Sequence, residues 1–523
     1  MADILLINVT EGAPAGGFAS DGTSDYSYLN SVLPAYLRND FHYTFCAEPV
    51  YYQQLAACIR KQGMSVEVMD GILMNLRIAD IKKLVDQTPA KIIGLTMFQA
   101  NYHAVMDVIL YIKHHFPYIK LFSGGTYSSI VYDKLLERHQ EIDYVVVGDG
   151  DEAVPDLCRA LLDGKDPTSI PGVAFRRDGE VHLVPPVPVE LDTVPFLARD
   201  FAPQIKHFDF SFSMVTSRGC GHGICAFCYL PMYQKKSLHP KFRYRSPEKV
   251  VAEMVSLREQ YGVSRVTFVD EDYFGVHSIG IPRAEAIADL LIEREVGVTY
   301  YVNARINSLI AVIRQGLLPK LARSGLRYVF IGIESGSDEI LRKYKKGISV
   351  KQIHAVVDEL AKYNIKINPG LITFDPDLTP EQVVHNVQML EYVGYYDVFM
   401  FTRKLILLPG IQVGSVNQDW ELPDWDPPSQ EPPYFGEPKT KLLYDGMVWF
   451  RDTIFPLYQQ IYHENIITDA LRQNLIENHF AAFYQVAARI ISGQVVTLED
   501  THSALLPYIG VVKKYAETNP YCP

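Results

Sequence analysis

Apolar and polar positions along the first third of the chain fall into short β-branched runs separated by stretches of helical period. The runs at 4–9, 65–70, 91–98, 120–125 and 143–148 read as strands, and the stretches between them as helices. Strands and helices in alternation predict a doubly wound, flavodoxin-like parallel sheet over 1–165, an α/β fold whose ligands sit beyond the carboxyl ends of the strands. Asn8, Asp70, Thr96, Gly124 and Gly148 fall at those ends. The Gly-rich stretch 11–21 and the loop running on to 45 exceed a simple connection and read as a lid or a linker. Residues 166–210 read as a connector, with a hairpin at 173–183 turning at Asp178 and Gly179. A second alternating series follows, with strands at 212–217, 266–270, 299–303, 328–333, 366–373 and 396–402. These units predict a partial (β/α)6 barrel over 211–408, with its site at the carboxyl ends of the strands. Beyond 409 the alternation stops. A Pro/Asp/Trp-rich segment at 419–438 leads into long helical stretches, so 409–523 reads as a helical C-terminal cap.

Composition narrows the function classes. With 523 residues the chain exceeds one ordinary core, and 48% hydrophobic with 21% charged residues suits folded domains. A net charge of −12 repels polyanions, which predicts a small-molecule or peptide substrate and no nucleic-acid partner. No leader precedes the first strand and no apolar run nears the roughly 20 residues that span a bilayer. The expectation is a cytoplasmic protein without membrane contact.

Chemistry concentrates at the cysteines. Cys46, Cys58, Cys158 and Cys522 are isolated and read as ordinary thiols, whereas Cys220, Cys225 and Cys228 share one loop directly after the first barrel strand. Three thiolates can ligate three irons of a cubane cluster and leave the fourth iron open for chemistry. A structural zinc site completed by His222 is the alternative. That site type belongs to short self-contained modules, and this loop opens a barrel.

The segment from Ser217 to Tyr229 resembles the cluster loop of the radical S-adenosylmethionine (SAM) superfamily. It departs in having four residues between the first two cysteines where three are usual, a bulge that Gly221 and Gly223 can absorb. The resemblance implies a 4Fe-4S cluster on the three cysteines and places Phe227 and Tyr229 near SAM. It implies that Asp270 and Glu271 meet the SAM amino group, Arg305 its carboxylate, and Glu334 with Ser335 its ribose. It also implies one-electron cleavage of SAM to a 5′-deoxyadenosyl radical, fed by an external reductant of flavodoxin or ferredoxin type.

The N-terminal sheet resembles the cobalamin-binding domain fused to many members of that superfamily. Ser123–Gly124–Gly125–Thr126 and Gly148–Asp149–Gly150 each follow a strand and open a helix, where bare backbone and free amides suit a bulky ligand with a phosphate tail. The resemblance implies cobalamin contacts at Thr96, Phe98, Gly124, Gly125, Thr126, Gly148, Asp149, Gly150 and Glu152. The Asp-x-His-x-x-Gly signature is absent, since Asp70 and Gly71 are followed by no histidine, so cobalt is expected to lack that ligand. His103 reads as a helix-face residue. A flavodoxin-like module kept for substrate docking is the alternative for this domain.

Together these readings imply a cobalamin-dependent radical SAM enzyme that methylates an unactivated carbon. The alternatives are cyclisation, oxidation or rearrangement with the same cofactors, and a non-catalytic sensor that only binds them. Aromatic pairs such as Tyr300–Tyr301 and Tyr395–Tyr396, and Trp425, read as core before pocket.

Overall fold

The computed structural model describes residues 2–9, 48–71, 73–74, 76–207, 210–396, 399–407, 411, 413, 434–463 and 469–518. The stretch 11–45, Cys46, Trp425 and Cys522 lie outside the described residues. Strands β1 (Ile4–Asn8), β2 (Val66–Asp70), β3 (Ile92–Thr96), β4 (Lys120–Gly124) and β5 (Tyr144–Val146) are parallel, in the order β2-β1-β3-β4-β5. Helices cover both faces, so the central strands are apolar throughout: Leu5 and Ile7 pack into one core layer, Ile4 and Leu6 into the other. The order reverses between β1 and β3, which opens a crevice at the carboxyl ends.

The hairpin does not belong to a free connector. Strands β6 (Val173–Arg177) and β7 (Glu180–Leu183) extend the same sheet antiparallel beyond β5, giving seven strands. Asp178 and Gly179 take φ of 54° and 83°, the left-handed pair of a tight hairpin turn. Periodicity marks a strand without naming its partner, which is why the sequence left this edge unassigned.

The second sheet runs β8 (Phe212–Met214), β11 (Arg265–Phe268), β12 (Thr299–Arg305), β13 (Leu326–Glu334) and β14 (Lys366–Leu371), all parallel and adjacent in chain order. The sixth position of the partial barrel is reduced to one parallel bridge, Phe374 to Lys404, and Met400–Thr402 forms a 3₁₀ turn where 396–402 reads as a strand. The first expected strand is split. After β8 the chain turns into β9 (Ser217–Gly219), which pairs antiparallel with β10 (Phe242–Tyr244), and the cysteine loop lies between these two. Helices Pro438–His463, Asp469–Ile491 and Leu498–Thr518 share one continuous apolar core with the barrel: Leu443, Phe450, Phe483 and Leu505 join Phe268, Val302 and Ile331. Tyr300 and Tyr301 are core, as their run suggested. No described helix is long and apolar enough to cross a membrane.

Candidate active site

Gly219 carries the chain out of β9 at φ 96°, and a Cβ there would stand 2.2 Å from the Lys241 carbonyl oxygen. Gly221 passes the Gly275 carbonyl as closely, at 2.3 Å, and Gly223 turns at φ 59°. These glycines absorb the extra loop residue. The loop is then pinned: Ala226 donates its N–H to the Tyr344 carbonyl at 3.0 Å, and the Leu230 amide donates to Cys228 Sγ at 3.4 Å. Cys220, Cys225 and Cys228 are all free thiols and partly buried. Burial pushes the Cys228 thiol up to about 12 and raises Cys225, against the pull of the Lys346 ammonium. Thiols in this state bind as thiolates once cations share the site.

The geometry does not suit zinc. His222 Nε2 lies 2.7 Å from the Lys345 carbonyl, so it is a donor already committed to backbone. Among the described residues no three His, Cys, Asp or Glu side chains converge on one point as a single ion requires. A cubane asks for something else, because each thiolate binds a different iron.

Around the loop the structure gathers part of the expected set. Phe227 meets Tyr344 edge-on at 5.3 Å, with the Lys346 ammonium 5.7 Å from its ring centre. Glu334, at φ 68°, accepts from Lys346 at 3.0 Å, and Arg305 is held by the fully buried Asp272 at 2.6 Å. Ser335 is turned away: its hydroxyl donates to Asn386 Oδ1 at 2.7 Å, so it shapes the end of β13 and offers nothing to a ribose. Asp270 is likewise spent. Its two oxygens accept from the amides of Thr216 and Ser217 at 2.7 and 2.9 Å and from both of their hydroxyls, which locks the turn leading to Cys220.

Glu271 and Tyr229 lie elsewhere, in a cavity of about 420 Å³ between the two sheets. Its N-terminal wall includes Thr96, Phe98, Gly124, Gly125, Thr126, Gly148 and Gly150, and its barrel wall Arg218, Gly219, Tyr229 and Glu271. Gly125 is required there: φ is 92°, and a Cβ would meet Thr96 Cγ2 at 2.6 Å. Gly148 takes φ 88°, with the His239 ring 3.1 Å from its would-be Cβ. Glu152 points outward on the helix Gly150–Leu162 and misses the cavity.

Asp149 reaches the cavity wall but is no free ligand contact. It pairs with Arg218 at 2.9 Å and with Arg243, and Asp151 takes Arg218 at 2.5 Å. Burial alone would raise the Asp149 carboxyl, yet the two guanidiniums hold it well below the usual carboxylate range. This network ties the loop after β5 to the strand that feeds Cys220. Its partners lie 67 to 94 residues apart in sequence, too far for any local pattern to reveal. Sequence reasoning also missed Tyr51, Tyr233 and His239, which line the cavity without belonging to a motif.

The profile of the Radical SAM superfamily matches residues 214–390, and that of the B12 binding domain matches 41–158. The chain belongs to the radical SAM enzymes that carry a cobalamin-binding domain. An uncharacterized methyltransferase of Pyrococcus horikoshii is 26% identical to it over 340 residues, covering 64% of this chain and 71% of the relative. The anaerobic magnesium-protoporphyrin IX monomethyl ester cyclase of Synechocystis sp. is 23% identical over 311 residues, covering 58% of this chain and 59% of the relative. A solved structure of the cobalamin-dependent SAM radical enzyme OxsB, with aqua-cobalamin and SAM bound, shares the fold. Its TM-score is 0.74 at 17% identity, over 99% of this chain and 80% of that one. A radical SAM enzyme of this kind works with a 4Fe-4S cluster, SAM and cobalamin. The residues present fit all three: three loop thiols beside buried cations, and strand-end glycines that leave bare backbone along the cavity.

Proposed function

We propose that this radical SAM enzyme transfers a methyl group to an unactivated carbon of a small molecule or peptide. The observation that carries the reading is the shared cavity: the strand ends of the cobalamin-binding sheet and the residues flanking the cluster loop, Arg218, Gly219 and Tyr229, line one space. In this reading Cys220, Cys225 and Cys228 hold the cluster, and Phe227, Arg305 and Glu334 flank SAM. Thr96, Phe98, Gly124, Gly125, Thr126, Gly148 and Gly150 receive cobalamin. When bound, the cluster supplies the electron that cleaves SAM, and cobalamin supplies methyl transfer.

The chain's own residues orient and seal. Asp270 fixes the turn that aims the thiols, Asp149 and Asp151 clamp Arg218 so that the two halves keep one spacing, and the tyrosines of the cavity restrict water. An external one-electron carrier of flavodoxin or ferredoxin type is the proposed reductant. The likeness to the methyltransferase of P. horikoshii supports methyl transfer, whereas that to the Synechocystis cyclase supports ring formation with the same cofactors. Anaerobic turnover with methyl-labelled SAM separates them. Methyl transfer yields labelled product with S-adenosylhomocysteine beside 5′-deoxyadenosine; unlabelled product with 5′-deoxyadenosine alone makes the cyclase-type reading the correct one.

A further inference from the structure

The charges on the cavity wall are balanced in two closed groups. Glu48 is bound by Arg199 at 2.5 Å, and Glu253 joins Arg199 to Arg245 behind it. Asp149 and Asp151 are matched by Arg218 and Arg243. Each group sets two carboxylates against two guanidiniums. His239 is kept neutral, because burial lowers its ring to about 4. Glu271 is left over. Among the described residues no ion pair holds it: it accepts the Gly219 amide at 2.9 Å, and burial raises its carboxyl against that bond and the pull of the Arg218 guanidinium.

Its surroundings make that charge conspicuous. Glu271 lies just beyond the end of β11 on the barrel side of the cavity, with its side chain open to the space, and Tyr51, Tyr229 and Tyr233 line the same cavity. A carboxylate in a largely apolar, aromatic recess is costly unless a cation arrives, and tyrosine faces add cation–π attraction for the same visitor. In the proposed function SAM lies against the cluster loop, its carboxylate toward Arg305 and its ribose toward Glu334, and the corrin would approach from the opposite, glycine-lined wall.

We propose that Glu271 is a specificity residue that receives a cationic nitrogen of the substrate, an alkylammonium, within the frame of Tyr51, Tyr229 and Tyr233. This rests on the reading of the cavity as the substrate site. The reacting carbon would then lie within reach of both cofactors while the ammonium anchors its far end.

Phenethylammonium serves as the probe, with 2-phenylethanol as its uncharged analogue, titrated by calorimetry into the anaerobic, unreduced enzyme carrying cluster, cobalamin and saturating SAM, so that the amino group of SAM is already placed. The ammonium should bind the unaltered protein about tenfold more tightly than the alcohol. In E271Q that preference should vanish, while E271D should keep part of it. Equal binding of the two probes by the unaltered protein, which needs no variant, overturns the proposal. So does an E271Q enzyme that still prefers the ammonium, or one that has lost its cobalamin, since Glu271 would then serve the corrin amides. Iron content and SAM cleavage, measured on the same samples, test the radical SAM reading separately, so either can fail alone.

Discussion

Cys220, Cys225 and Cys228 stand on a loop in which glycine is demanded by close backbone approaches at 219 and 221, so the thiols are placed by backbone and little by packing. Anaerobic reconstitution should therefore give about four iron and four sulfide per chain. Alanine at all three positions should remove the cluster while the fold survives, as iron assay and circular dichroism will show; retention of iron in that triple variant would sink the assignment. The cysteines were legible because three thiols within one short loop after a strand have few other uses. Asp270 and Ser335 were legible only as polar residues at strand ends. Both are buried and consumed by neighbours, Thr216 and Ser217 in one case and Asn386 in the other, and nothing in the sequence distinguishes a carboxylate that awaits a ligand from one already satisfied.

At the scale of elements, the parallel strands were readable because apolar runs buried on both faces leave little ambiguity, and the hairpin because Asp178 and Gly179 demand a left-handed turn. The run 396–402 misled, since its aromatic residues favour strands in general but here serve packing: Phe401 stacks on His479 at 4.4 Å, and the Tyr396 hydroxyl meets His479 Nδ1 at 2.8 Å. The pairing of the loop after β5 with β9 and β10 has a measurable consequence through His239. Burial depresses its ring from the ordinary 6.5 to about 4, so on acidification the unfolded chain takes up a proton before the folded one does. Stability is therefore complete above about pH 6.5 and declines toward pH 4, by about 1.4 kcal/mol per pH unit for each such histidine. Asp149 acts in the same sense at lower pH: its depressed value keeps it ionised through this window, and its contribution is lost only as the pH falls below the ordinary carboxylate range. His479, lowered by burial to about 3, and His222 and His277 add to the same decline as His239. H239N keeps an acceptor for Arg243 and removes the titration, so denaturant melts at pH 7 and pH 5 should differ less in the variant than in the parent. An unchanged difference would show that His239 does not sense the acid.

For the whole molecule, the decisive feature is that two sheets present their carboxyl ends to one space, joined by ion pairs and by the small apolar cluster of Val50, Leu197 and Val215. If that arrangement couples two chemistries, damage to one wall should spare the other. Gly125 offers the cleanest cut, because valine there would be strained at φ 92° and would press on Thr96, at a cost of about 1–3 kcal/mol. It belongs to the B12-binding domain's wall of the cavity, whereas the thiols and Asp270 belong to the barrel. G125V should lose cobalamin affinity by about tenfold or more, about 1.4 kcal/mol, because the loop can relieve that strain only by moving into the cavity the cofactor would occupy. Transfer of label from methyl-labelled SAM to product should fall in step, whereas formation of 5′-deoxyadenosine should fall much less, because the loop that holds Cys220 to Cys228 takes its shape from Gly219, Gly221 and Asp270. The comparison is internal to one sample, with cobalamin read from its visible spectrum and both SAM products from the same chromatogram. Equal loss of the two activities with cobalamin still bound would mean that the walls act as one site, and that the cavity couples the halves more tightly than the ion pairs alone account for.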